Sequence, residues 1–281
     1  MLNEAYELVV SRQEHYAIDE ANFASLYPEE DIRRNKEYVA QKQAEWAEID
    51  SRKRHKREDK RRATVLEYII FDQGESNNWL GENALTIKTS PYDDIVNGVD
   101  MVAEFEETPE DKNLEANFSH LGLAIDITFG EDLKQKFDDI RGEIDSGLLS
   151  EVKYFESSRS GQRKLSQMPR VVISCSRETV HELMEKWLKK DNEFLASHPF
   201  QLQMLEEVAG QLKMFEMYAR EVAEREDIGD IYAEVLVVVE RLRKQKSQTL
   251  PRNARLSFDS GYNNLIAGLQ EFARKLKGIG K

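Results

Sequence analysis

The stretch LGLAIDITF at 121–129 constrains the fold more than any other part of the chain. Side chains alternate between the two faces of a strand, so Leu121, Leu123, Ile125, Ile127 and Phe129 share one apolar face. Ala124, Asp126 and Thr128 share the other. A run this apolar predicts an internal strand covered on both sides, with the Asp126 carboxylate in its middle. Desolvating that charge is costly unless a cation or hydrogen-bond donors meet it. The chain must therefore build a sheet, bury its centre and bring compensation to Asp126.

Four further runs read as strands: ALTIKT (84–89), NGVDMVAEF (97–105), LLSEVKYF (148–155) and RVVISCS (170–176). Polar connections, EETPEDKNLEANFSH and a loop around SSRSGQRKLSQMP, separate them. The rest carries helical spacing. Leu2, Tyr6, Val9, Val10, Tyr16 and Phe23 mark an N-terminal helical stretch. Pro28 followed by Glu29, Glu30 and Asp31 starts a helix to about Ser51 with a narrow stripe of Ile32, Tyr38, Val39 and Trp46. TVLEYIIF (64–71) is a buried helix, followed by the turn-rich DQGESNNWLGEN. Leu133, Phe137, Ile140 and Ile144 share one face of a helix at about 131–145. Ser176 caps a helix over 177–190, and Pro199 starts one with the stripe Leu202, Leu205, Val208, Leu212, Phe215 and Val222. Helices at 227–244 and 262–277 complete the chain. The order predicts an α+β protein: a helical arm over 1–62, an α/β core over 63–192 and a helical region over 193–281.

Charge is divided unevenly. The chain of 281 residues carries a formal net charge of −13. RKRHKREDKRR, from Arg52 to Arg62, holds eight Lys/Arg and two acids, +6 in eleven residues, leaving −19 on the other 270. The acidic balance argues against nucleic acid coating the whole surface, but a local cluster of Lys and Arg can still release counterions from a phosphate backbone. The contact candidates are Arg52, Lys53, Arg54, Lys56, Arg57, Lys60, Arg61 and Arg62; a solvated helical face is the other reading of the run.

Several chemistries are disfavoured. Cys175 is the single cysteine, which precludes an internal disulfide and fits a cytoplasmic protein. His15, His55, His120, His181 and His198 lack zinc-site spacing. Gly-rich phosphate loops and a nucleophile elbow are absent, and no run suits a membrane span. Trp46, Trp79 and Trp187 fall in separate segments, with no stacking platform for single strands evident.

What remains is a pair of acids. Asp100, Val102 and Glu104 share one face of 97–105, and Val99, Met101, Ala103 and Phe105 the other. If this strand and 121–129 are antiparallel neighbours, Asp100 and Asp126 approach each other. Two carboxylates ~4 Å apart repel by roughly 4 kcal/mol at an effective dielectric near 20. Magnesium relieves that repulsion, since it needs only one or two protein carboxylates. Asp93 and Asp94, after Pro91, read as turn residues.

The order helix, strand, Gly-x-Asp strand, strand with a central acid, helix, strand, strand resembles the PD-(D/E)XK nuclease superfamily over about Thr64 to Lys190. The resemblance implies a restriction-endonuclease-like mixed central sheet flanked by helices. It also implies Mg2+, with Mn2+ able to replace it, held by Asp100, Asp126 and an acid of the preceding helix. Glu67 is the match for that acid, and Glu82 a rival. The family lysine two residues after the second acid is Thr128 here. Lys136, Lys134 and Lys153 are the substitutes, with Lys136 placed best. The implied activity is metal-dependent hydrolysis of phosphodiester bonds in nucleic acid, DNA first. The alternative is an inactive nuclease-fold scaffold, binding a partner protein or a second copy through its acidic terminal helices.

Overall fold

The computed structural model describes residues 1–52, 54–105, 121–128, 133–251, 254 and 258–277, leaving out the side chains at 13–15, 49–56, 121 and 275–277. Helices α1 (Leu2–Tyr16), α2 (Glu29–Arg52) and α3 (Arg54–Asn77) come first, with a 3-10 turn at Glu20–Phe23. Strands β1 (Ala84–Lys88), β2 (Met101–Phe105) and β3 (Leu121–Thr128) follow, then α4 (Leu133–Ser146). Strands β4 (Ser150–Ser157), β5 (Gly161–Met168) and β6 (Arg170–Ser174) precede α5 (Arg177–Leu188), α6 (Asn192–Ala196), α7 (Phe200–Glu221), α8 (Glu226–Thr249) and α9 (Ser260–Lys277). The protein is α+β. The boundary expected at 62/63 falls inside α3, and one apolar core draws on residues from Ala5 to Phe272.

The main sheet is mixed, in the order β1-β2-β3-β6. β2 runs antiparallel to both β1 and β3, while β6 lies parallel to β3 with Asp126 beside Val172. One face, through Met101, Ala103, Phe105, Leu123, Ile125 and Ile127, enters the main core beneath the helices. The other face meets the β4–β5 hairpin through Val102, Ala124, Val152, Phe155 and Met168. Val99 joins this second cluster and not the Met101 face expected for it. The reason is local: a π-helical turn (Asp93–Asn97) and left-handed Gly98 (φ 63°) break the alternation before β2 begins at Met101. β5 also corrects the sequence reading, which made it a loop. It pairs with β4 and buries only Met168, so it lacks the apolar alternation that announces a strand.

Both edges of the sheet are blunted by helical side chains, which removes the exposed pairing row that edge strands present. On β1, the Thr86 N–H donates to Glu75 Oε1 of α3 at 2.6 Å. On β6, three residues of one i, i+4, i+8 ridge of α7 act as a missing strand. Gln211 Oε1 accepts from the Val172 N–H at 2.8 Å and its Nε2 donates to the Val172 carbonyl at 2.6 Å. Glu207 Oε2 accepts from the Ser174 N–H at 2.9 Å, and Gln203 Nε2 donates to the Ser174 carbonyl at 3.2 Å. All three side chains are buried in a helix whose apolar stripe is the only part legible from spacing.

Replacing Gln211 by Leu should cost about 2–4 kcal/mol in urea unfolding, because two buried backbone groups lose their partners at ~1–3 kcal/mol each. A second expectation concerns pH. Burial lifts the Glu207 carboxyl well above its ordinary value of 4.5. An acid with a raised folded-state pKa gives its full stabilisation below the unfolded value and loses it as pH rises toward the folded one. Stability should therefore decline from about pH 4.5 toward neutrality, and less steeply in Glu207→Gln. Equal declines in the two proteins would remove Glu207 as a source of the slope.

Candidate functional site

The site lies where β1 ends, β2 begins and β3 ends, beneath α3. Continuing the β2–β3 register by one residue sets Asp100 opposite Asp126. Asp100 is pinned there: its N–H donates to the Ile125 carbonyl at 2.9 Å, and its Oδ2 accepts from the Ile127 N–H at 2.7 Å. Asp126 is 5 % exposed. Lys136 of α4 reaches its Oδ1 at 2.5 Å, and Arg170 Nη1 stands 3.9 Å from its Oδ2. Arg170 is in turn held by Glu143 of α4 at 2.6 Å. A Cβ on Gly98 would come within 3.0 Å of the Arg170 guanidinium, so the residue that turns the chain into β2 also makes room for the cation.

Two more acids converge on this pair. Glu67 projects from α3 and meets Lys88 at the end of β1, 3.4 Å between Oε2 and Nζ. Asp94 sits in the π-helical turn that its neighbour holds in place. The buried Asp93 carboxylate accepts from Ser90 Oγ (2.8 Å), Asn97 Nδ2 (2.7 Å) and the N–H groups of Lys153 (2.7 Å) and Tyr154 (3.0 Å). Asp93 and Asp94 both lie in the turn their sequence context suggests, and Asp94 is in addition near enough to Glu67 to feel its charge.

The electrostatics follow from crowding. Asp94 is exposed by surface area, yet surrounding protein desolvates it enough that its carboxyl is pushed up to about 7. After desolvation, Glu67 and Asp126 raise Asp94 while Lys88 and Lys60 oppose them. The Asp100 carboxyl stands well above its usual value, through desolvation and the charges of Glu67, Asp126 and Asp94. Asp126 is raised by desolvation, restrained by Lys136 and Arg170. Among the described residues, no three His, Cys, Asp or Glu side chains are grouped closely enough to hold a metal ion by themselves.

Glu67, Asp100, Asp126 and Lys136 therefore come together. Other candidates do not. Lys134 points away from the acids, into a shallow pocket beside α9. Glu82 lines a separate pocket against α8. Lys153 is ringed by Tyr27, Tyr92 and Tyr154 at 4.8, 5.4 and 5.4 Å from the ring centroids. Glu104 is buried, and its backbone carbonyl accepts from Arg159 at 3.2 Å. In the basic run, Arg61 stacks on Tyr6 at 4.9 Å and donates to Asn3 at 2.6 Å. Arg62 is paired with Asp59 (3.0 Å) and Glu58 (3.6 Å), and Asp59 also ties down Arg177 at 2.8 Å. These two arginines serve the packing of α3. Arg57 and Lys60 are exposed. Lys53 lies outside the described residues, as do the side chains of Arg52, Arg54 and Lys56.

Sequence reasoning missed Asp94, Lys88, Arg170 and Glu143. A lysine ending the short apolar strand ALTIK was a usable signal for Lys88. Nothing local separates Asp94 from Asp93. Because Asp100 is held in a field of like charges, Asp100→Asn should stabilise the metal-free protein at neutral pH by on the order of 1 kcal/mol. The check is a denaturant melt, in which a loss of stability would contradict the repulsion. No family model matches the chain, and neither a curated protein nor a solved structure matches it, so geometry alone carries the functional reading.

Proposed function

We propose that the chain is a divalent-metal-dependent nuclease, hydrolysing phosphodiester bonds of nucleic acid, DNA in the first instance, on a restriction-endonuclease-like core. The observation that carries this reading is the convergence of Asp100 and Asp126 from adjacent antiparallel strands, with Lys136 bonded to Asp126 and the charge of Glu67, paired to Lys88, felt by both acids. The succession α3-β1-β2-β3-α4 supports it too, since it supplies the acids in the order of the PD-(D/E)XK resemblance, with the β4–β5 hairpin standing between α4 and β6.

The donor set suits the proposed ion. All donors are carboxylate oxygens, and each strand acid has one oxygen engaged, Asp100 Oδ2 by Ile127 and Asp126 Oδ1 by Lys136. Asp100 Oδ1 and Asp126 Oδ2 remain for a cation, the latter with Arg170 Nη1 3.9 Å away. Mg2+ takes one or two carboxylates and keeps its waters, so the Asp100–Asp126 pair would suffice to hold it. Bound there, Mg2+ or Mn2+ supplies charge stabilisation at phosphate and a more acidic water. Glu67 and Asp94 add negative potential around the ion. Lys136 stands in for the lysine missing at Thr128: it orients Asp126 and presents an ammonium to the substrate phosphate.

The test is cleavage of labelled duplex, branched and single-stranded substrates with Mg2+ and with chelator. Asp126→Ala should abolish it, Lys136→Ala should lower it roughly 100-fold or more, and Lys134→Ala should leave it unchanged. No Mg2+ binding by calorimetry together with no cleavage of any substrate would overturn the proposal. A second reading, an inactive nuclease-fold scaffold for a partner protein or second copy, is favoured by Thr128 at the lysine position and by the tight Lys136–Asp126 pair. That negative result would select it.

A further inference from the structure

The aromatic residues of the α2–α3 arm, scattered in sequence, form a track. Tyr38, Lys42 and Trp46 lie on one i, i+4, i+8 ridge of α2, about 12 Å from end to end at helical rise. Both rings are open to solvent, Tyr38 44 % and Trp46 38 % exposed, whereas Trp79 and Trp187 are buried at 0 % and 6 %. Each open ring carries a lysine over its face. Lys42 Nζ is 5.7 Å from the Tyr38 centroid, and Lys60 Nζ of α3 is 4.9 Å from that of Trp46.

The α3 side of the track shares a helix with the acidic site. On α3, Lys60 and Glu67 are about two turns apart on one face, roughly 10 Å along the axis. Lys60 is close enough to Asp94 to act on its carboxyl. Exposed Arg57 extends the positive charge along α3. Lys42 also pairs with Glu45 at 2.9 Å, but both side chains are solvent-exposed in part, 32 % and 44 %, and such pairs exchange readily for a phosphate.

We infer that the α2–α3 arm binds single-stranded nucleic acid, stacking bases on Tyr38 and Trp46 and placing phosphates at Lys42, Lys60 and Arg57. Stacking needs free base faces, which a strand offers and a duplex keeps to itself. Charge complementarity is confined to Lys42 and Lys60 over the rings and to exposed Arg57, since α2 as a whole carries seven acids against five Lys/Arg. This inference deepens the nuclease reading and rests on it for the bound strand's purpose: the arm would lead a single-stranded region toward Glu67, Asp94, Asp100 and Asp126. A partner protein on the same face is the competing occupant.

Binding can be read without cleavage, on the full chain in chelator, by titrating labelled (dT)20 and a 20-base-pair duplex while following tryptophan fluorescence. The single strand should bind more tightly than the duplex and quench Trp46. Trp46→Ala and Tyr38→Ala should each weaken it about tenfold, and Lys60→Glu should flatten the salt dependence by about one phosphate contact. Equal or tighter duplex binding, or affinity unchanged in Trp46→Ala, overturns the inference. Binding of neither form, with light scattering showing self-association lost in Trp46→Ala, overturns it in favour of a protein interface. Mg2+ calorimetry separates the two claims, since Trp46→Ala should retain ion binding, while Asp126→Ala should lose it and keep the single strand.

Discussion

A carboxylate in the middle of an internal strand is expensive to desolvate, and the arrangement around Asp126 answers that cost. Lys136 fixes how α4 returns across the sheet, because its ammonium must reach Asp126. Arg170 brings a second cation from β6, and Glu143 of α4 holds that cation in place. Gly98 leaves the space Arg170 needs and supplies the left-handed turn into β2, which in turn sets Asp100 against Asp126. Removing the acid from β3 would leave these groups without a common purpose. Its presence makes one end of the sheet a place where charge is stored.

Two opposed ways of handling buried polarity coexist in the chain. At β6, the α7 ridge of Gln203, Glu207 and Gln211 satisfies an edge with side-chain groups that stand in for a strand. Every partner there is fixed, as a packed core requires. At the acidic site, the carboxylates raise one another's proton affinity and remain in excess of their cations. The first pattern holds the sheet edge, at some cost toward neutrality from the buried Glu207 carboxyl, whereas the second costs stability through like-charge crowding.

The net charge of −13 also has to be read by position. The basic run looked like a single patch. Folding divides it: Arg61 and Arg62 are engaged with α1 and with the Glu58–Asp59 pair, Lys60 lies over Trp46, and Arg57 is exposed. A composition count over 52–62 overstates the number of cations available to a phosphate. It also overlooks the aromatic ring beside them, which comes from a different helix.

The sequence by itself determined the α+β order, five of the six strands and the inward face of β3, and it singled out Asp100, Asp126 and Lys136, which the fold brings side by side. Each of these rests on alternation, helical spacing or an acid stranded in an apolar run, and such signals are local. Only the tertiary structure decided that β5 is a strand, that Gln203, Glu207 and Gln211 are buried, and that Asp94 feels the charge of Glu67 and Asp126. It likewise decided that Lys134 turns away and that Tyr38 and Trp46 share a surface with Lys60. These depend on what lies across from a residue in space. An exposed hairpin strand, a polar group that replaces a strand's partner and a charge felt through crowding leave no periodic trace, because their energies come from neighbours distant in the chain.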